Sequence, residues 1–309
     1  MKVVVTGGAG FIGSNLADEL ANRGKEVVIL DDLSTGKIDN IGGLRRRENV
    51  RFVNGSVTDM KLLKSVFKRA EVVYHLAAIP SVPRSIKEPE RSNEVNINGT
   101  LNVLMAARAC GVRKVAYASS SSVYGDTLEL PKREEMNPNP LSPYAVTKLT
   151  GEYYCRVFQE VYGLETVSLR YFNVYGPRQD PFSEYAAVIP KFIQRVLKGM
   201  PPVIYGDGNQ TRDFTFVKDV VEGTIILAEN EATGVFNIGR GEQTSINHLA
   251  RLVLEVTGQD LEPIHEKPRT GDVRHSLADI SRAKSYGYNP KYSVKEGLKE
   301  TVRWFGHEV

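Results

Sequence analysis

The segment Val3-Val4-Val5-Thr6-Gly7-Gly8-Ala9-Gly10-Phe11-Ile12-Gly13 constrains this chain more than any other. A β-branched run passes straight into a glycine turn, and residues 13–23 continue with helical periodicity. Gly8, Gly10 and Gly13 satisfy a dinucleotide-binding spacing; Gly7, Gly10 and Gly13 satisfy its wider variant. Such a turn is tight, and a Cβ in it would hold a pyrophosphate away from the backbone. The helix start beyond it offers unsatisfied N–H groups to an anion. A strand before the turn and a helix after it supply the context that the motif requires.

Short β-branched runs at residues 3–6, 26–30, 50–53, 72–75, 114–118 and 166–170 alternate with helical patterns at 13–23, 60–70, 94–109 and 143–162. This alternation predicts an α/β fold with a doubly wound parallel sheet, helices covering both faces. The second half is less regular: 176–185 reads as loop, 188–198 as helix, and Gly206-Asp207-Gly208-Asn209 as a turn cluster. Residues 214–216, 217–228 and 235–238 read as strand, helix and strand, and are expected to return to the main sheet. Helices expected at 246–257 and 280–286 would then build a smaller lobe. The expected division is a Rossmann-type domain of residues 1–174 with 213–240, and a substrate lobe of 175–212 with 241–309.

A net charge of +3 over 309 residues, evenly spread, gives no footing for nucleic acid or a membrane surface. The one dense basic run, Arg45-Arg46-Arg47, is followed at once by Glu48 and reads as a solvated loop. Cys110 and Cys155 lack CxxC spacing and a nearby His cluster, which argues against a disulfide framework and against a metal site. The strand begins at the third residue, leaving no room for a signal peptide, and no apolar stretch approaches the ~20 residues of a membrane span. A cytoplasmic location is the expectation.

The second strand ends at Asp31-Asp32, 18 residues past Gly13. A carboxylate there accepts ribose hydroxyls and repels a 2′-phosphate, which favours NAD over NADP. Asp31 is the expected ribose ligand; Asp32 is a further candidate, or merely caps the next turn. Farther on, Pro143 precedes Tyr144, so Tyr144 and Lys148 stand four apart on one helical face. A tyrosine with a pKa of ~10 is a poor base, but a neighbouring ammonium and a positive nicotinamide ring both favour the phenolate. Alone, such a pair is commonly a packed ring beside a solvated amine. Here Ser119-Ser120-Ser121-Ser122 lies at the end of another strand, where open α/β sheets place ligands, and supplies a row of hydroxyl donors.

The glycine turn, the serine run 24 residues before the tyrosine, and Tyr144-Ala145-Val146-Thr147-Lys148 together resemble the extended short-chain dehydrogenase/reductases. His75-Leu76-Ala77-Ala78 is similar to that family's segment beneath the cofactor, and Asn96-Ile97-Asn98-Gly99-Thr100 to its central helix. Arg170-Tyr171-Phe172-Asn173-Val174-Tyr175-Gly176-Pro177 is similar to the strand leading into the substrate site. Thr211-Arg212-Asp213-Phe214 and Arg269-Thr270-Gly271-Asp272-Val273 resemble the diphosphate contacts of nucleotide-sugar 4-epimerases. Ser81-Val82-Pro83-Arg84-Ser85, Arg178-Gln179-Asp180-Pro181, Ala186-Ala187-Val188-Ile189-Pro190 and Arg274-His275-Ser276 look most like the epimerases of bacteria and archaea that act on UDP-N-acetylglucosamine.

The resemblance covers essentially the whole chain and implies 4-epimerisation of UDP-hexoses, plain or N-acetylated, through a transient 4-keto sugar. By it, Tyr144 takes the 4-OH proton, Lys148 holds the cofactor ribose, and Ser120 shares the proton path. The cofactor set becomes Gly7, Gly10, Phe11, Ile12, Gly13, Asp31, Asp32, Ser56, Val57, Leu76, Ala77, Ala78, Asn96, Tyr144, Lys148 and Tyr171. Ser81, Ser121 and Ser122 are assigned to the substrate, with Ala187, Val188 and Tyr205. Asn173, Arg212 and Arg269 are assigned to the diphosphate, Asp272 to the uridine ribose, and Ser276 to the space beside the C2 substituent. Tight cofactor retention and a homodimer through the helices at 94–109 and 143–162 are also implied.

Two positions depart from the family pattern. Ser56 stands where an aspartate is usual, which weakens the expected adenine contact, and Pro80 stands where glycine is frequent beside the sugar. Rival readings share the fold or abandon the chemistry. A dehydratase or decarboxylase needs carboxylates just after the catalytic hydroxyl, where Ser121 and Ser122 stand. A UDP-glucuronate 4-epimerase needs a cation for the sugar carboxylate, and Arg84 is the candidate. A non-catalytic NAD-binding regulator is expected to have lost Tyr144 or Lys148, and both are present.

Overall fold

A computed structural model describes residues 1–181, 187–268 and 274–306. Seven strands form the central sheet: Lys2–Thr6 (β1), Glu26–Asp31 (β2), Val50–Asn54 (β3), Val72–His75 (β4), Lys114–Ser120 (β5), Glu165–Tyr171 (β6) and Gly234–Ile238. Their order runs from the Gly234–Ile238 strand through β6, β5, β4, β1 and β2 to β3, with every pair parallel. Winding reverses between β1 and β4. Beyond the carboxyl ends of the strands, that reversal opens the crevice in which such sheets bind ligands.

Successive side chains of a strand face opposite ways. Val3, Val5, Val27 and Ile29 therefore enter one core, and Val4, Val28 and Leu30 the other. Burial on both faces explains why these strands are nearly continuous apolar runs rather than alternating ones. Helices Phe11–Asn22 and Val217–Glu229 cover the first face with Leu16, Leu20, Val220 and Leu227. Helices Met60–Phe67, Gly99–Ala109 and Pro143–Tyr162 cover the second with Leu63, Phe67, Val103, Leu104, Cys155 and Phe158.

Three elements depart from expectation. The helix expected over 94–109 opens as a π-helical turn, Glu94–Asn98, before the α-helix Gly99–Ala109. The strand expected at 214–216 does not join the main sheet: Thr215–Phe216 pairs with Val174–Tyr175 in a separate two-stranded sheet. The edge beside β6 is already filled by Gly234–Ile238. In addition, the fully buried Asp213 carboxylate anchors this stretch by accepting from the backbone N–H groups of Arg240, Gly241 and Ala278. Third, a helix at Val294–Gly306 was hidden by its Lys- and Glu-rich composition, although Val294, Leu298, Thr301 and Phe305 recur on one buried face. Gly297 permits its close approach, since a Cβ there would lie 2.2 Å from the Tyr175 hydroxyl. Among the described residues, no helix is long and apolar enough to cross a membrane.

Candidate active site

The crevice holds a cavity of about 570 Å3 running from the glycine turn to Tyr144 and Lys148. Of the two possible glycine triads, Gly7, Gly10 and Gly13 line it. Gly7 has φ +69°, and a Cβ there would fall 2.6 Å from the Ala77 nitrogen, so only glycine fits between β1 and the segment after β4. Gly10 caps helix Phe11–Asn22 without a side chain, leaving its first-turn N–H groups for an anion. Phe11, Ile12, Asp31, Asp32, Ser56, Val57, Leu76, Ala77, Ala78 and Tyr171 line the same cavity, as expected from the sequence.

The two aspartates divide their tasks. Asp31 is buried, and its carboxylate accepts from the N–H groups of Ala9 (2.9 Å) and Leu33 (2.8 Å). Burial raises its pKa in spite of those bonds. The lone pairs that remain face the cavity, ready for ribose hydroxyls. Asp32 is exposed and closes the next turn by accepting from the Ser34 N–H.

Helix Pro143–Tyr162 is anchored at its first turn. Pro143 has no N–H to satisfy, Tyr144 donates its N–H to Ser85 Oγ at 3.0 Å, and Ala145 donates to the N-cap Ser142 at 3.1 Å. Ser85 is fully buried and was not foreseen in this role. Down the same face lie Tyr144, Lys148, Gly151 and Glu152, with Gly151 packed so closely on Tyr117 that a Cβ would lie 2.2 Å from its hydroxyl.

Lys148 is buried, donates to the Ala118 carbonyl at 2.7 Å, and burial lowers its pKa to about 8. The Tyr144 hydroxyl is pushed up to about 12 by burial, against an opposing hydrogen bond from Ser120. The expected lowering of the tyrosine pKa is therefore not a property of the polypeptide alone. Lys148 Nζ stands 5.8 Å from the Tyr144 ring centre with its ammonium turned to Ala118. A positively charged ligand beside the hydroxyl would favour the phenolate.

Asn96, assigned to the cofactor by the resemblance, is not among the residues that line the cavity: its buried amide accepts from the Ile79 N–H (2.7 Å) and donates to the Ile79 carbonyl and to Thr147 Oγ1. It thus fastens the segment after β4 to helix Pro143–Tyr162. His75 does similar work. Thr100 Oγ1 already donates to the Asn96 carbonyl, so it accepts from His75 Nε2, and His75 Nδ1 accepts from Thr6 Oγ1. Burial holds the imidazole near a pKa of about 3, so it stays neutral.

Asn173, Ala187, Val188, Tyr205 and Arg212 meet around a second cavity of about 270 Å3, with Lys191, Gln210 and Phe192 among its other walls. The latter three carried no motif and were not foreseen. Ser81 lines the first cavity at φ +90°, a conformation uncommon for a residue with a Cβ. Ser120, Ser121 and Ser122 sit where β5 gives way to a short 3-10 turn, and Ser122 Oγ is buried with no partner among the described residues. Ser276 lines neither cavity; its N–H pairs with the Thr211 carbonyl beside Arg212. Arg269 and Asp272 lie outside the described residues.

A strap from the substrate side crosses to the glycine turn. Asn15 Nδ2 donates to the Pro177 carbonyl, Arg178 donates to the Ser14 carbonyl and to Asp18, and Lys37 pairs with Asp180. Arg178 and Asp180 also line the first cavity. Replacing Arg178 by alanine removes both bonds and is expected to speed loss of bound NAD roughly tenfold or more. The check is the NAD content of the purified protein after repeated gel filtration, against wild type.

This geometry agrees with comparison to known proteins. The model of the NAD dependent epimerase/dehydratase family matches residues 3–239. A UDP-glucose 4-epimerase of Mycolicibacterium smegmatis is 41% identical over 310 residues, spanning 99% of this chain and 98% of that one. The structure of a UDP-N-acetylglucosamine 4-epimerase from Methanobrevibacter ruminantium, in complex with UDP-N-acetylmuramic acid, superposes with a TM-score of 0.96 at 43% identity, over 100% of this chain and 99% of that one. A Thermus thermophilus UDP-glucose 4-epimerase in complex with NAD superposes with a TM-score of 0.91 at 39% identity, over 100% of both chains. The chain belongs to the NAD dependent epimerase/dehydratase family. Its cofactor is NAD, and the cavity fits one: a side-chain-free helix start for the pyrophosphate, a buried carboxylate for a ribose, and Tyr144 with Lys148 at the far end.

Proposed function

We propose that this chain is an NAD-dependent isomerase that inverts C4 of UDP-hexoses, converting UDP-N-acetylglucosamine and UDP-glucose to their galacto epimers. The observation that carries the reading is the pairing of Tyr144 and Lys148 at the end of the dinucleotide cavity, with serines where a dehydratase needs carboxylates. Bound NAD supplies a reversible hydride acceptor for the sugar carbon. Tyr144 takes the 4-OH proton as the C–O bond becomes a carbonyl, and returns it when the opposite face is reduced. Ser120 shares that proton through its bond to Tyr144. Lys148, locked on the Ala118 carbonyl, presents its remaining protons to the cofactor ribose.

The diphosphate is assigned to Asn173 and Arg212 at the second cavity, with Arg269, and the uridine ribose to Asp272. Ser81, Ser121 and Ser122 take the sugar hydroxyls, Ala187, Val188 and Tyr205 the rest of the nucleotide, and Ser276 leaves room at C2. We assign residues 1–174 with 213–240 to the cofactor and 175–212 with 241–309 to the nucleotide-sugar. A cytoplasmic homodimer is part of the proposal, supported by Met105, Val146, Tyr153, Val157 and Val161, apolar side chains left exposed on the two neighbouring helices.

The test is incubation with NAD and, separately, UDP-N-acetylglucosamine or UDP-glucose, following anomeric protons by NMR. Galacto signals from both sugars support the reading. No change in either sugar overturns it.

A further inference from the structure

Tyr144 is held at the head of its helix in an uncommon way. First-turn N–H groups have no intrahelical partner, and the residue just before the helix often satisfies one of them, as Ser142 does here for Ala145. The Tyr144 N–H goes instead to Ser85 Oγ, 59 positions earlier in the chain, at 3.0 Å. That oxygen has little freedom. Ser85 is fully buried, its hydroxyl donates to the Val82 carbonyl at 2.7 Å, and its backbone N–H donates to the Ser81 carbonyl. With its proton so committed, the hydroxyl turns a lone pair to Tyr144.

The other end of Tyr144 is tied to the same segment. Its carbonyl accepts from Thr147 Oγ1 at 2.8 Å, Thr147 Oγ1 accepts from the Asn96 amide, and that amide is bonded to both the N–H and the carbonyl of Ile79. Residues 79–85 therefore reach the Tyr144 backbone twice, once on each side of its Cα. Pro80 and Ser81, in the middle of that segment, line the same cavity as Tyr144 and Lys148. The neighbouring first-turn positions are already provided for, since Pro143 has no N–H and Ala145 has Ser142. What the two ties fix is the direction of the Tyr144 Cα–Cβ bond, and with it the place where a long, rigid side chain puts its hydroxyl.

We propose that Ser85 is a positioning residue for Tyr144, fastening the tyrosine backbone to the segment that carries Ser81 so that the phenolic hydroxyl keeps its place at the reacting carbon. This rests on the reading of Tyr144 as the proton carrier of a UDP-sugar epimerase. A reacting group misplaced by ~1 Å loses roughly 10²-fold in rate. Steady-state kinetics on UDP-glucose test the proposal in wild type, Ser85→Ala and Ser85→Thr, and in Ser85→Ala combined with Tyr144→Phe, with NAD content and Tm taken on the same samples. Ser85→Ala is expected to lower kcat roughly 10- to 100-fold at nearly constant KM and full NAD content. Ser85→Thr, which keeps the hydroxyl acceptor, is expected to regain part of that loss. In the Tyr144→Phe background the same alanine change should cost almost nothing further, because no hydroxyl remains to be misplaced. Should Ser85→Ala not fold, Ser85→Cys, which fills the same space with a weak acceptor, is read by the same criteria. An unchanged kcat, an equal fall in both backgrounds, or a loss of NAD that accounts for the fall overturns the proposal. If wild type converts no UDP-sugar, the reading of the site has failed and the proposal falls with it, an outcome distinct from the others.

Discussion

Replacing Tyr144 by phenylalanine is expected to lower kcat by about 10²- to 10⁴-fold, the range that a positioned proton donor and acceptor contributes. The protein should stay folded, because the hydroxyl's partner among the described residues is Ser120, while the backbone N–H keeps its bond to Ser85. NAD should stay bound, since the glycine turn, Asp31 and Lys148 are untouched. Steady-state rates on UDP-glucose, with NAD content measured on the same sample, separate the two effects. A fall in kcat and kcat/KM together marks an interaction made in the transition state. A loss smaller than tenfold would move the proton path to another hydroxyl, with Ser120 the first to replace.

The second large effect is expected from Glu152→Gln. Glu152 and Arg170 form a bidentate pair at 2.9 and 2.7 Å with both side chains almost wholly buried, and Ser119 donates to the same carboxylate at 2.5 Å. Neutralising one partner leaves the other charge buried and unpaired, at a cost of about 3–5 kcal/mol. The loss is expected as a drop in Tm of roughly 5–10 °C. Replacing the pair together, by Glu152→Leu with Arg170→Met, should be less damaging than the single change, because no orphaned charge remains. If the single variant melts with wild type, the pair does not hold the catalytic helix to β5 and β6.

Much of this was legible because the signals are local. The glycine turn, the strands between it and β6, and the Tyr144–Lys148 pair each lie within one short segment whose period or spacing carries the meaning. Asn173, Ala187, Val188 and Arg212 were legible because each sits in a recognisable motif; with Tyr205, though scattered along the chain, they line one cavity. What escaped depends on pairing at a distance. Arg178 reaches Asp18 across 160 positions, and the Asn96 amide is bonded to Ile79 and Thr147, which no local pattern announces. The Glu152–Arg170 pair was half visible, since Glu152 continues the face of Tyr144 and Lys148 by one further turn, but nothing local names its partner. Thr215–Phe216 has the residues of a strand, yet only the occupancy of the sheet edge decides where it pairs.

The strap of Pro177, Arg178 and Asp180 ties one wall of the first cavity to helix Phe11–Asn22 and to Lys37. On the function proposed above, the sugar nucleotide would reach the walls around Asn173 and Arg212, and the dinucleotide would lie behind the bonds to Ser14, Asn15 and Asp18. Two separate exits of that kind would make the enzyme's working life a ratio of rates. Each departure of a half-converted keto sugar would strand a reduced cofactor, and that molecule would stay silent until a keto sugar returned or the strap opened. A population worked on a leaky substrate should therefore fade with turnover number rather than with time.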